Sequence, residues 1–507
     1  MPTTSPLRHR APTSRRAWAA LAVLLLPVLL ISVDSTVLSF AVPHLSADLA
    51  PTGTELLWIV DVYGFMIAGL LVTMGTLGDR IGRRRLLLIG AVAFGAASAM
   101  AAYAPSPEVL ILARALLGVA GATLMPSTLS LLRNIFLDTR QRTLAIAIWA
   151  TMFSVGSALG PVVGGWLLGH FWWGSVFLVN LPVMALLLVL APLLVPESRD
   201  PEPGRYDLAS AGLSLVAMLL AVYGIKNLVA GGVDLLSAAA LVAGVLVGFV
   251  FVRRQRRLTV PLLDLGLFRH RAFSASTVTN LLTTFAIIGA LFFITQYLQL
   301  VLGLEPIEAG FVLVPGLALA IVTGLGAVPL MRRVATAWLV FASLLTVAAG
   351  YSLLTLVGAE SGVPVVMVAF VLIGGGVGLV QTITNNLIMN TVEPAKAGAA
   401  AAVSETAYEV GGGAGIAVLG SVLATVYART LSPVDGIGDS ALDRAGETIG
   451  GAQAVAGETG GPAGAALLQV AGEAFTSAVH VTSIIGAVVV AVAATQMLIV
   501  LRRAAVR

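Results

Sequence analysis

Six ionisable residues lie inside long apolar runs: Asp34, Asp61, Arg114, Lys226, Glu405 and Glu409. A charge at the centre of a bilayer costs about 2.5–3.5 kcal/mol on insertion scales, so each needs a partner, an aqueous cavity or a proton. Counted from the outer ends of their runs, Asp34, Asp61 and Arg114 each lie about six residues in, roughly 9 Å at 1.5 Å per residue, and can meet at one depth. Two acids that share one arginine leave one of them to be protonated or to bind a cation; a static ion pair between helices is the plainer alternative. Glu405 and Glu409, four apart, fall on one helical face, and Ser404, Tyr408, Gly411 and Gly415 form a second stripe about 120° away. The glycine stripe is expected to pack and the acidic stripe to look into a cavity, with Glu409 near the midplane and Glu405 nearer the cytoplasm. Glu409 has no basic partner on its own helix, which suits a proton carrier or a cation ligand. Lys226 reads as a snorkelling residue near a helix end.

Cationic, lipophilic ligands favour aromatic faces. Trp58, Tyr63, Trp149, Phe153, Phe292, Tyr297 and Tyr408 are candidates as a group, with Gln296, Asn385 and Asn386 as polar contacts, although any one aromatic serves equally as packing. Other chemistries are poorly supplied. There is no cysteine, so no thiolate metal site or nucleophile; no Gly-rich phosphate loop ending in Lys-Ser/Thr; and five scattered histidines without ligand spacing. No metal and no cofactor are expected, an enzyme is not indicated, and the energy source left is a proton gradient.

The elements that must hold these residues are membrane helices. Hydrophobic residues make up 58% and charged residues 11% of the 507, against about 25% charged in a soluble protein. The lipid bilayer is therefore a partner. Nucleic acid is not, because the basic residues recur in short clusters rather than in one patch. Apolar runs of about 20 residues suggest fourteen transmembrane helices in an all-α membrane protein. Of the 29 Lys and Arg, 25 fall on one side, from the N-terminal tail through Arg80, Arg83, Arg84 and Arg85 to Arg502, Arg503 and Arg507. That bias places both termini in the cytoplasm. Helix 5 aligned with helix 13 at an offset of 255 matches Thr151 with Thr406, Val155 with Val410, Gly156 with Gly411, Gly160 with Gly415, Val163 with Val418, Gly165 with Gly420 and Leu168 with Leu423. As a duplication, this gives two six-helix bundles, 17–195 and 272–502, two linking helices at 207–252 and a cytoplasmic tail at 1–16. The extracellular segment at about 428–473 is Gly- and Ala-rich with six acids, and is expected to form a small hairpin, a flap or a disordered loop. The abundance of Arg over Lys, with much Ala and Gly, suggests a bacterium.

Four strings carry a resemblance. The loop after helix 2 reads Gly75-Thr-Leu-Gly-Asp79-Arg80-Ile-Gly82-Arg83-Arg84-Arg85, and is similar to the cytoplasmic signature of the major facilitator superfamily. Arg114, within Leu110-Ile-Leu-Ala-Arg114-Ala-Leu-Leu-Gly118, resembles that family's second motif, and Gly156-Ser-Ala-Leu-Gly160-Pro161-Val-Val-Gly164-Gly165 its antiporter motif. In helix 1, Asp34-Ser-Thr36 followed by Ala41-Val-Pro43 resembles the fourteen-helix drug:proton antiporter branch. The resemblance implies a proton-driven, bacterial plasma-membrane multidrug exporter of quaternary ammonium antiseptics and ethidium-like dyes, working as a monomer; export of an endogenous metabolite or a self-made antibiotic is the alternative. The buried charges and aromatic faces lead us to expect proton coupling at Asp34, Glu409 and Arg114, and substrate contacts at Asp61, Glu405, Trp58, Tyr63, Trp149, Phe292, Tyr297 and Tyr408. Gating falls to Gly75, Asp79, Arg80, Gly82, Arg83, Gly156, Gly160, Pro161, Gly164 and Gly165. Some antiseptic exporters of the branch carry a further acid in helix 10, where this chain has only Glu308, near the outer end. A preference for divalent over monovalent cations is therefore not implied.

Overall fold

A computed structural model describes residues 15–199, 207–230, 234–258, 261, 265–358, 362–392 and 397–505. Among these there is no strand. The spanning helices are α1 (Arg15–Leu49), α2 (Gly53–Ile81), α3 (Arg83–Ala102), α4 (Pro107–Ile135), α5 (Thr139–His170), α6 (Ser175–Leu194), α7 (Leu208–Ala230) and α8 (Leu235–Gln255). They continue as α9 (Arg271–Val301), α10 (Pro306–Met331), α11 (Thr336–Leu354), α12 (Gly362–Thr391), α13 (Ala397–Thr430) and α14 (Gly461–Ala505). Thirteen are long and apolar enough to cross a membrane by composition; α5, with 32 residues, is the fourteenth, and several of its side chains lie outside those described. The backbone polar groups are thus satisfied within each helix, as a hydrocarbon environment requires.

The helix contacts repeat. In the first half α1 packs on α5, α4 and α6, α4 on α2 and α3, and α3 on α6; in the second, α9 packs on α13, α12 and α14, α12 on α10 and α11, and α11 on α14. Helices α7 and α8 pack on each other, and α7 leans on α2 and the outer part of α13. The repeat reaches individual residues. A side chain at Gly156 would collide with the Leu29 carbonyl of α1 and one at Gly160 with Thr36, close to the Val33 carbonyl, while side chains at Gly411 and Gly415 would collide with the Leu281 and Phe285 carbonyls of α9. Small residues here let paired backbones approach in a bilayer, where lipid is as apolar as leucine. Gly165 and Gly420 repeat the device towards the opposite half, against Ile307 of α10 and Leu57 of α2. Both helices are interrupted at matching positions by different means: Pro161 lies inside α5, and a π-helical turn, Ile416–Gly420, begins 255 residues later in α13.

The contacts described between the halves are concentrated towards the ends away from the arginine-rich loops. Thr295 Oγ1 donates to the Ser39 carbonyl at 2.9 Å and Gln299 Nε2 to that of Phe40 at 3.3 Å. A side chain at Gly310 would meet Pro161. The outer segment is ordered: helices Asp439–Glu447 and Ile449–Thr459 form the hairpin, neither flap nor disordered loop. Thr448 caps the second helix through Gly451, and Arg444 pairs with Glu458 at 2.7 Å. Gly450 sits against Ser46 of α1, while Glu447 accepts from the Gly53 N–H at the start of α2 at 3.0 Å. The stretch Ala465–Phe475 belongs to α14, which starts 13 residues before the expected 474 because its outer turns pack on the hairpin.

Candidate functional site

On α4, Arg114 is 1% exposed and its guanidinium is fully engaged. Nη1 reaches Asp34 Oδ2 on α1 at 2.7 Å, Nε the Ile59 carbonyl at 3.0 Å and Nη2 the Val60 carbonyl at 3.4 Å, both on α2. Tyr63 stacks on the guanidinium, with 4.5 Å from its carbon to the ring centroid, and Phe177 lies at 5.9 Å. One arginine thus fastens three helices. The expected sharing by two acids is resolved in favour of Asp34, because the other nitrogens go to main-chain oxygens of α2. Asp61 is as buried, at 1%, one residue beyond Val60. Removing one member of such a pair costs about 3–5 kcal/mol, since the other charge stays buried.

The second half holds a different arrangement. Glu405 and Glu409 of α13 are enclosed by protein yet remain partly solvent-accessible. The Glu409 carboxylate lies against α2 at Gly64, where a side chain would start 3.5 Å from Oε2. The neighbouring stripe behaves as its spacing suggests: Gly411 and Gly415 pack on α9, while Ser404 and Tyr408 enter a network with α9 and α12. Asn280 Nδ2 donates to Asn385 Oδ1 at 3.0 Å and Ser404 Oγ at 3.2 Å, and Asn385 Nδ2 donates to the Tyr408 hydroxyl at 2.8 Å. Thr384 Oγ1 donates to Asn280 Oδ1, which satisfies the buried amide.

The remaining candidates separate. Trp149 is half-buried, donates to Thr128 Oγ1 at 3.1 Å and meets Phe153 edge-on. Trp58 packs beside Phe65, Val222 and Ala417 at the junction of α2, α7 and α13. Tyr63 is 4% exposed and belongs to the ion pair, not to a cavity wall. Tyr297 is a correction: at 1% exposure it is turned into its own half, and its hydroxyl donates to the Gly358 carbonyl. Phe292 is another, lining with Gln296, Leu57, Gly420, Tyr427 and Glu447 a small outer cavity under the hairpin, to which neither Glu405 nor Glu409 contributes. Asn386 is exposed. The side chain of Lys226 lies outside those described.

At the arginine-rich end, Asp79 near the end of α2 and Arg83 at the start of α3 pair at 2.7 Å across the break at Gly82. A further tie to α3 comes from Glu197 and Ser198 beyond α6. Glu197 accepts from the Arg84 and Arg85 main-chain N–H groups at 3.0 and 3.1 Å, and the Arg83 N–H donates to the Ser198 carbonyl at 2.8 Å. A carboxylate at the start of α3 complements the helix dipole. Gly82, with φ +108°, adopts a backbone that only glycine accepts easily, and a side chain there would strike Glu197. Gly75 and Gly78 face Pro126 and Ser127 of α4. Of the antiporter string, Gly156, Gly160 and Gly164 pack on α1, whereas Pro161 and Gly165 face α10 across the halves. Sequence reasoning missed Asn280, Thr384 and Glu197. Asn280 was detectable as an amide within an apolar run; Glu197 carried no local signal, since its role depends on where α6 ends relative to α3.

A twofold-repeated helical bundle with buried ions defines a class, and the comparisons agree: the chain belongs to the Major Facilitator Superfamily, which residues 24–416 match. It is a multi-pass transporter of a bacterial cell membrane rather than an enzyme. Over 499 residues it is 49% identical to the multidrug efflux pump LfrA of Mycolicibacterium smegmatis, covering 98% of this chain and 99% of that one. It is 32% identical over 461 residues to the methyl viologen resistance protein SmvA of Salmonella typhimurium, covering 91% and 93%. With the tetracenomycin C resistance and export protein of Streptomyces glaucescens it shares 35% over 413 residues, 81% and 76% of the two chains. Among solved structures, a bacterial homologue of the human lysosomal transporter Spinster superposes with a TM-score of 0.68 at 16% identity, covering 97% of this chain and 98% of that one, a likeness of fold.

Proposed function

We propose that the protein exports lipophilic cations in exchange for protons. The observation that carries this reading is the pairing of a sealed Asp34–Arg114 site with the half-buried acids Glu405 and Glu409 in the opposite half, which pair with no arginine among the described residues. In the scheme, an acid releases its proton inward, its anion attracts the drug, the halves rock, and an incoming proton displaces the drug outside. The names of the relatives, a multidrug efflux pump and a methyl viologen resistance protein, support cationic toxins as substrates. A second reading, export of an antibiotic or other metabolite, is favoured by the 35% identity to a tetracenomycin C exporter. The test is ethidium efflux from vesicles with and without an imposed pH gradient. Gradient-dependent efflux supports antiport; gradient-independent efflux rejects it, and transport of tetracenomycin-like aromatics without ethidium favours the second reading.

A further inference from the structure

Tyr63 is buried, yet its hydroxyl has no hydrogen-bond partner among the described residues. A buried polar group left without a partner is costly and deserves an explanation, and an alternative arrangement that satisfies it is one. Its ring supports the arginine that holds Asp34. The next residue, Gly64, faces the Glu409 carboxylate from the opposite half, and Tyr63 lies within Coulombic reach of Asp34, Glu409 and Arg114 together. The segment 59–64 of α2 therefore touches both charged sites, through the Ile59 and Val60 carbonyls, the Tyr63 ring and the Gly64 gap. The charged and titratable groups around it are Asp34 from α1, Arg114 from α4, Glu409 from α13 and Asp61 on α2 itself; near this stretch α7 presents the apolar Met218, Leu219 and Val222.

We propose that Tyr63 is a positioning residue that carries the charge state of Glu409 to the Asp34–Arg114 pair, its hydroxyl turning to donate to Glu409 when that carboxylate is ionised. This rests on the antiport reading. As the hydroxyl turns, the ring leaves the guanidinium, and Arg114 loses its cation–π contact. Its grip on Asp34 then changes, so that Asp34 can exchange a proton in the step that follows. Only hydrogen bonds are remade.

The experiment compares wild type with Tyr63→Phe, which keeps the stacked ring and removes the hydroxyl, alone and in a Glu409→Gln background. Ethidium binding to the solubilised protein and the pH profile of gradient-driven efflux are read together. We expect binding within about twofold of wild type and the rising limb of the profile displaced to higher pH by about one unit, the size of one hydrogen bond to a charged group. In the Glu409→Gln background, where coupled efflux is lost and the pH dependence of ethidium binding is read instead, the hydroxyl should make no further difference. An unmoved profile, an equal displacement without Glu409, or lost ethidium binding each overturns the proposal, the last by making Tyr63 a drug contact. If wild-type efflux ignores the pH gradient, the antiport reading fails separately. The pH dependence of ethidium binding in Tyr63→Phe then still decides on Tyr63, unmoved from wild type overturning the proposal and displaced upholding it.

Discussion

The two halves of this transporter share a frame and divide the chemistry. The glycines of α5 meet Leu29 and Val33 of α1, and those of α13 meet Leu281 and Phe285 of α9, an offset of 252 along the receiving helix. By that offset Asp34 answers to Ala286, which is fully buried. Arg114 stands four before Gly118, packed on the Tyr63 carbonyl; its counterpart Phe370 stands four before Gly374, packed on the Gly316 carbonyl. The buried ion pair of the first half is thus apolar in the second. The reverse holds for the acids, since Glu405 and Glu409 answer to Ala150 and Ser154 at the offset of 255. What both halves keep is close backbone packing, a requirement of helices in lipid. What only one half keeps is charge, which the frame does not need and which points to function.

The largest effect that would test this division is Asp34→Asn. The amide keeps the shape but cannot carry a proton and leaves Arg114 without a counter-charge. Gradient-driven efflux should fall by about 100-fold or more, the pair being worth about 3–5 kcal/mol. Drug binding measured on the solubilised variant should persist. Full efflux by this variant would remove Asp34 from the mechanism.

The shared frame makes its own demand. Gly156→Ala and Gly411→Ala each place a methyl into a neighbouring helix and should lower thermal stability by similar amounts, about 1–3 kcal/mol for overpacking. Gly169→Ala, in a position with open space, should be close to neutral. A large difference between the two frame variants, read in a thermal melt, would break the mirrored packing.

Asp79→Asn should slow turnover several-fold with binding unchanged, a modest loss of about 1 kcal/mol because the pair is partly exposed. Its limited size follows from Glu197, which still holds α3 when the Asp79 contact is gone. Weakened binding at normal turnover would instead place the loop in the substrate path. Smallest of all, Glu447→Ala removes an exposed tie between the hairpin and α2, and should change efflux by about twofold or less.

Much of this architecture was legible because membrane helices announce themselves by length and by charge between them. Depth counting brought Arg114 level with Asp34 and Asp61 without choosing between them, and the helical period separated the Gly411 and Glu409 faces. What was not legible depended on neighbours far away in the chain. Tyr297 and Phe292 looked like drug contacts by residue type; whether an aromatic turns inward or into its own bundle is set by helix rotation, which has no sequence period. The hairpin after α13 was ambiguous because Gly- and Ala-rich sequence forms helices only when something packs on them. Ser46, Gly53 and the outer turns of α14 supply that.

The central claim is that the acid of the second half, not the ion pair of the first, exchanges its proton for drug. It is tested most directly by proton release on adding ethidium to the solubilised protein, in wild type, Asp34→Asn and Glu409→Gln. The account predicts release by wild type and by Asp34→Asn, and none by Glu409→Gln. If Glu409→Gln still releases protons on binding drug and still pumps, the residue is only a polar wall, and coupling falls to Asp34.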